Sequence, residues 1–149
     1  MYRMVQRIEH TATTSADPTA VYALLIDGAS WPSWSPIESV ELEGDDADGH
    51  VGTVRVLRSG KVTGRDTIAE LVPDRRFAYT HASSLPVKNY RGEIDLTPID
   101  GGTSIRWVST FEPKFPGTGR LVKRGLGKFI GKMTNGLARG ADRRVAAAA

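Results

Sequence analysis

The chain contains no cysteine. Disulfides, thiolate zinc sites and cysteine nucleophiles are therefore excluded together, and a reducing cytoplasm is the expected compartment. No apolar run approaches the ~18 residues of a membrane-spanning helix. The opening MYRMVQRIEHTATTS lacks the apolar block of a secretory signal. G-x-S-x-G, H-E-x-x-H and a phosphate-binding glycine loop are all missing. The three histidines, His10, His50 and His81, include no pair at metal-ligand spacing, so neither a metal nor a cofactor is expected. Gly101-Gly102-Thr103 opens a strand and not a helix, which removes a dinucleotide fingerprint.

What is present is ordinary in amount and uneven in distribution. The 149 residues are 40% hydrophobic and 25% charged, the profile of one globular domain spanning residues 1–149. Net charge is +3, but residues 117–149 carry eight basic residues against the single acid Asp142, while the first 116 carry twelve basic and sixteen acidic ones. Two readings follow. The basic residues form the solvated outer face of a helix, or they give a weak, salt-sensitive association with an anionic membrane. A nucleic-acid partner is not expected, because no aromatic platform interleaves with the cations.

The pattern predicts a strand over MVQRIEHTATT, then a helix over SADPTAVYALLID with Ser15 or Asp17 as cap and Pro18 in its first turn. SWPSW makes only a short helical turn, since Pro32 and Pro36 stop it from extending. Six strand-like runs follow: IESVELEG, TVRVLRS, KVTGRDTIAEL, RFAYTHA, NYRGEIDLTPI and TSIRWVSTFEP. The first two are separated by the acidic turn GDDADG, and the last two are joined by DGG. Ile105, Trp107, Ser109 and Phe111 alternate with Ser104, Arg106, Val108 and Thr110, so one face of the sheet is apolar. The period then changes. Val122, Leu126, Phe129, Ile130, Met133, Leu137 and Ala141 form a helical stripe, interrupted by five glycines that tertiary packing must compensate. The tail RRVAAAA is expected to fray. The long helix is the one element large enough to cover the sheet, which makes the fold α+β.

Several stretches carry a family resemblance: VQRIEHTATTSADPTAVYALLID, WPSWSPIESVEL, DLTPIDGGTSIRWVSTFEP and the terminal amphipathic helix. Together they resemble the helix-grip superfamily of START domains, pollen-allergen-like proteins and polyketide cyclase/dehydrase-like proteins. The resemblance implies a curved seven-stranded antiparallel sheet, two short helices and a long C-terminal helix closing over a cavity. Across that superfamily the cavity takes lipids, sterols, polyketides and other hydrophobic molecules. Binding of a hydrophobic small molecule is therefore the expected function, and a cyclase or dehydratase using acid/base groups in the cavity is the alternative.

In the cavity that the resemblance implies, strand phase, the helical stripe and the aromatic turn together nominate the wall: Trp34, Val56, Phe77, Tyr79, Ile94, Trp107, Phe111, Leu126 and Ile130. Tyr90 sits where its hydroxyl can reach the cavity. Asp66 shares a phase with Gly64 and Ile68, and Arg58 shares one with Val54 and Val56, so Arg58 is the expected partner of a buried Asp66 or a contact for an anionic head group. His81, in phase with Phe77 and Tyr79, is the first candidate for proton transfer, with Tyr79 beside it. Trp31 and Trp34 either plug the gap between sheet and long helix, one ring facing the cavity, or form a small core of their own.

Overall fold

The computed structural model describes residues 5–44 and 47–148. Met4 of the first expected strand, Asp45 and Asp46 of the acidic turn, and Ala149 lie outside them. The chain runs β1 (Gln6–Thr14), α1 (Pro18–Ile26), a 3-10 turn (Gly28–Ser30), α2 (Trp31–Trp34), β2 (Ser39–Glu43), β3 (Val54–Ser59), β4 (Val62–Val72), β5 (Arg76–Ser83), β6 (Val87–Ile99), β7 (Gly102–Pro113) and α3 (Gly119–Ala148). The seven strands form one antiparallel sheet in the order β1-β7-β6-β5-β4-β3-β2. Strands β2 to β7 are thus a meander of neighbours. The one long connection, α1 with α2, carries the chain from one sheet edge to the other.

Local chemistry sets the boundaries. Asp17 caps α1, its Oδ1 accepting from Ala20 N at 2.9 Å, and Pro18 sits where a missing N–H costs nothing. Helix α2 ends at Ser35, directly before Pro36. Register shifts at Ile68/Glu70 in β4 and at Lys88/Arg91 in β6 add residues to one strand of a pair, which bends the sheet.

The inner face is the predicted one in β6 and β7. Ile94 and Leu96 are buried opposite Trp107 and Ile105. The outer face is a lattice of ion pairs: Arg76–Asp95 at 2.7 Å, Arg91–Glu70 at 3.0 Å, Arg7–Glu9 at 2.6 Å and Arg106–Glu9 at 3.0 Å. Arg106 and then Arg7 hold the Glu9 carboxyl down to about 2.

The phase of β3 is the reverse of the expected one. Arg55 and Leu57 are buried, while Val56 is half-buried on the outer face and Arg58 is exposed beside Glu41 at 3.3 Å. Arg55 explains the inversion. It is 1% exposed, lies 5.4 Å from the Trp31 ring centre and 5.3 Å from that of Phe77, and donates to Asp48 Oδ1 at 2.9 Å and to Ile26 O at 2.7 Å. Paired and sandwiched between rings, a guanidinium can occupy a core position.

Helix α3 lies over β1 and is clamped at its C-terminal half. Leu137 and Ala141 are fully buried. A Cβ at Gly136 would stand 2.0 Å from the Trp34 carbonyl oxygen, so α2 and α3 touch backbone to side. Asp142 Oδ1 accepts from Thr14 Oγ1 at 2.6 Å and Ser15 N at 2.9 Å, tying the helix to the end of β1. The expected frayed tail is instead helical through Ala148, in keeping with alanine as the strongest helix former.

Candidate functional site

Where α3 is clamped, Leu137 and Ala141 have no exposed surface. Toward its N-terminus the helix stands away from β3–β6 and leaves a cavity of about 430 Å³. The sheet contributes Leu57, Ser59, Val62, Gly64, Asp66, Tyr79, His81 and Tyr90. The helix contributes Leu121, Val122, Gly125, Leu126, Phe129, Ile130 and Met133. Trp31 and Ile37 close it at the α2 side, and Leu85 and Pro86 at the β5–β6 turn. Leu121 is 75% exposed and marks the mouth.

Two glycines shape the sheet side. A Cβ at Gly64 would come within 2.4 Å of His81 Cε1, and one at Gly92 within 2.3 Å of Tyr79 Cζ. Each glycine lets a ring lie across the neighbouring strand. His81 thereby reaches Asp66, its Nδ1 lying 2.5 Å from Asp66 Oδ1, and its Nε2 lies 2.9 Å from Ser83 Oγ. The consistent hydrogen order for a neutral ring is Nδ1–H to the carboxylate and the Ser83 hydroxyl to Nε2. Leu85 N donates to the same serine oxygen at 3.2 Å.

This order resembles a nucleophile relay, but Ser83 does not line the cavity, so in this position it orients the ring. With both ring nitrogens engaged, the Asp66 carboxylate is the charged cavity-lining group that retains accepting capacity. Among the described residues its side-chain partner is His81.

The two tyrosines act differently. Trp107 Nε1 donates to Tyr79 Oη at 3.2 Å, and Tyr90 Oη donates to Ser109 Oγ at 2.7 Å. Burial pushes the Tyr79 phenol well up and that of Tyr90 to about 12. Both stay protonated at neutral pH, so neither is a proton acceptor there.

The structure thus brings together Asp66, Tyr79, His81, Tyr90, Leu126 and Ile130 of the expected wall. Val56 and Arg58 are corrected to the outer face, and the partner of Asp66 is His81. Phe77, Ile94, Trp107 and Phe111 are fully buried but belong to the core and not to the wall. Of the tryptophan pair it is Trp31 that faces the cavity. Trp34 packs on Gly140, where a Cβ would meet its own Cβ at 2.7 Å. The two rings are 4.9 Å apart. On α3 the nominated wall left out Leu121, Val122, Phe129 and Met133, and elsewhere sequence reasoning missed Ile37, Leu57, Val62, Leu85 and Pro86. Leu57 follows from the inverted β3 phase, and the other four flank turns or strand ends, where period-two patterning gives no orientation.

The polyketide cyclase / dehydrase and lipid transport family matches over residues 5–148. No curated protein matches the chain significantly in sequence. Among solved structures, Ara h 8.0201 superposes with a TM-score of 0.75 at 19% identity, covering 93% of this chain and 98% of its own. The Zhui aromatase/cyclase from Streptomyces sp. R1128 gives a TM-score of 0.73 at 22% identity, over 95% of this chain and 96% of its own. A norcoclaurine synthase point mutant from Thalictrum, in complex with a transition-state analogue, gives 0.74 at 14% identity, over 97% and 98%. At these identities the likeness is one of fold.

Proposed function

Because the chain belongs to the polyketide cyclase/dehydrase and lipid-transport family, we propose that it binds a hydrophobic small molecule between its sheet and α3. The observation that carries this is the cavity wall, mostly aliphatic and aromatic with the His81–Asp66 pair set into it. About 430 Å³ falls within the range of ligand sites that bury most of a small organic molecule. The apolar wall takes the hydrocarbon body. Asp66 accepts a hydrogen bond from a hydroxyl, phenol or amine on the ligand, and that selects amphiphiles with a donor at one end over plain hydrocarbons.

Native mass spectrometry of the purified protein, followed by a thermal-shift panel of lipids, sterols and aromatic polyketides, tests this reading. A ligand present at 100 times its dissociation constant adds about 2.7 kcal/mol. No retained mass and no shift across the panel would remove the proposal.

A second reading, proton-transfer chemistry of the cyclase or dehydratase kind, is favoured by one feature: the ordered Asp66–His81–Ser83 array. Asp66 would take a proton from an enolisable chain folded in the cavity, with His81 stabilising the carboxylate's position. The array differs from the expected assignment in making His81 the positioning residue and Asp66 the base. Turnover of a poly-β-ketone by Asp66→Asn at the parental rate would sink this reading. Turnover by His81→Ala at the parental rate would remove His81 from it.

A further inference from the structure

Among the described residues the arginines of the outer sheet face are paired with carboxylates, and the cations of α3 are not. Between Glu112 and Asp142 the sequence has seven basic residues and no acid. None of the seven, from Lys114 to Arg139, makes an ion pair among the described residues, whereas Arg7, Arg58, Arg65, Arg76, Arg91 and Arg106 all do. Arg124, Lys128 and Lys132 recur at three, seven and eleven positions after Leu121, so they share its outward ridge. Arg120, Lys123, Arg124 and Lys128 also converge on a shallow depression beside His10, whose Nε2–H donates to Gly127 O at 2.8 Å.

Two large apolar side chains stand out of this positive field. Leu121 is 75% exposed and Phe115, in the loop leading into α3, is 55% exposed. Leu121 is also part of the cavity wall, so apolar protrusion, positive charge and mouth coincide at one end of the molecule.

We propose that this end docks on an anionic lipid bilayer. Phe115 and Leu121 enter the headgroup region, the unpaired cations contact lipid phosphates, and the mouth opens toward the membrane. That last feature rests on the ligand-binding reading and gives an amphiphile a path between bilayer and cavity. A bilayer fits better than a nucleic acid because an exposed leucine gains from an acyl boundary and nothing from a phosphodiester track. The surface is a docking face and not an anchor, since two side chains bury little area. No helix among the described residues is long and apolar enough to cross a membrane.

Co-sedimentation of the full chain with vesicles of phosphatidylcholine, alone or mixed in equal parts with phosphatidylglycerol, tests the proposal. Binding is expected on the anionic vesicles alone and should weaken from low to physiological salt as the Debye length falls to about 8 Å. The double variant Lys123→Glu/Arg124→Glu should lose at least about tenfold in partitioning. The pair Phe115→Ser/Leu121→Ser should lose at least about threefold, with an unchanged circular dichroism spectrum. Equal partitioning onto both vesicle types, no binding at low salt, or indifference to both double variants would overturn the proposal. So would tighter binding to duplex DNA than to vesicles with no effect of the serine pair. Uptake of a neutral hydrophobic probe, measured without vesicles, separates the two claims: docking that persists without probe binding refutes the ligand reading and leaves the docking face standing.

Discussion

Replacing Gly136 by alanine opposes two effects of known size. In an isolated helix the exchange gains about 1 kcal/mol. In this molecule the new Cβ would stand 2.0 Å from the Trp34 carbonyl oxygen, a backbone atom that no rotamer change can move. Overpacking costs about 1–3 kcal/mol when the neighbours can shift, and a rigid neighbour puts the site at or above the top of that range. Separating α3 from α2 also loosens Trp34, which is 5% exposed and rests on the same helix. The expected net result is destabilisation of about 2 kcal/mol, or a fall in Tm of about 4–8 °C for a chain of this size. Gly127→Ala is the internal control. Nothing lies within 4 Å of its added Cβ, so it should stabilise by up to about 1 kcal/mol. Thermal and urea unfolding of both variants decide the matter. Gly136→Ala at or above the parental Tm, or a loss at Gly127→Ala as large as at Gly136→Ala, would refute the clamp.

Removing His81 takes the ring away from the Asp66 carboxylate, only 9% exposed, so His81→Ala should cost up to about 3–5 kcal/mol. Asp66→Asn should cost less, and a double-mutant cycle by urea unfolding should return a coupling of about 0.5–3 kcal/mol; additive losses would show that the two do not interact. Arg55→Ala leaves a hole between Trp31 and Phe77 and should cost about 3–5 kcal/mol, and Arg55→Lys should fail to restore stability because it lacks the fork that reaches both Asp48 and Ile26; full rescue by lysine would contradict that geometry. The Thr14 hydroxyl, and then Ser15 N, hold the Asp142 carboxyl below the usual carboxylate range, so its contribution is present above the unfolded-state value and fades as pH falls through the folded-state one. The Tm difference between the parent and Asp142→Asn should therefore shrink as pH drops below about 4, and a difference that grows on acidification would reverse the assignment.

The parts of the fold that depend on local pattern were legible. Asp17 and Pro18 announce α1, and the alternation of β6 and β7 follows Ile94, Leu96, Ile105 and Trp107 directly. The family expectation of sheet, helix and cavity matches the observed architecture. Residues whose orientation depends on distant partners were not legible. Val54 and Val56 pattern like a core phase, yet the buried residue is Arg55, because Asp48, Ile26 and two aromatic rings arrive from outside the strand. The same misphasing assigned Arg58 to Asp66, whose partner is instead His81, paired with it in register across β4 and β5. The glycines of α3 read as a weakness in a helix, and they divide by place. Gly136 and Gly140 are required by Trp34, whereas Gly125 and Gly127 face open space. The large aromatics Phe77, Trp107 and Phe111 were assigned to the wall because they are apolar and inward. Inward on this sheet includes core beside the cavity as well as its wall: Phe111, in register with Gln6 near the start of α3, stacks behind Tyr90, and Tyr90 takes the wall position.

The central claim is that the space under the N-terminal half of α3 holds a hydrophobic ligand. The direct measurement is a fluorescence titration with N-phenyl-1-naphthylamine, a neutral apolar probe, on the parent and on Met133→Trp, which adds volume to the cavity wall. The account predicts saturable binding at one probe per chain, weakened at least about tenfold in the tryptophan variant with an unchanged circular dichroism spectrum. Equal binding by both proteins, or no saturable binding by the parent, would contradict it.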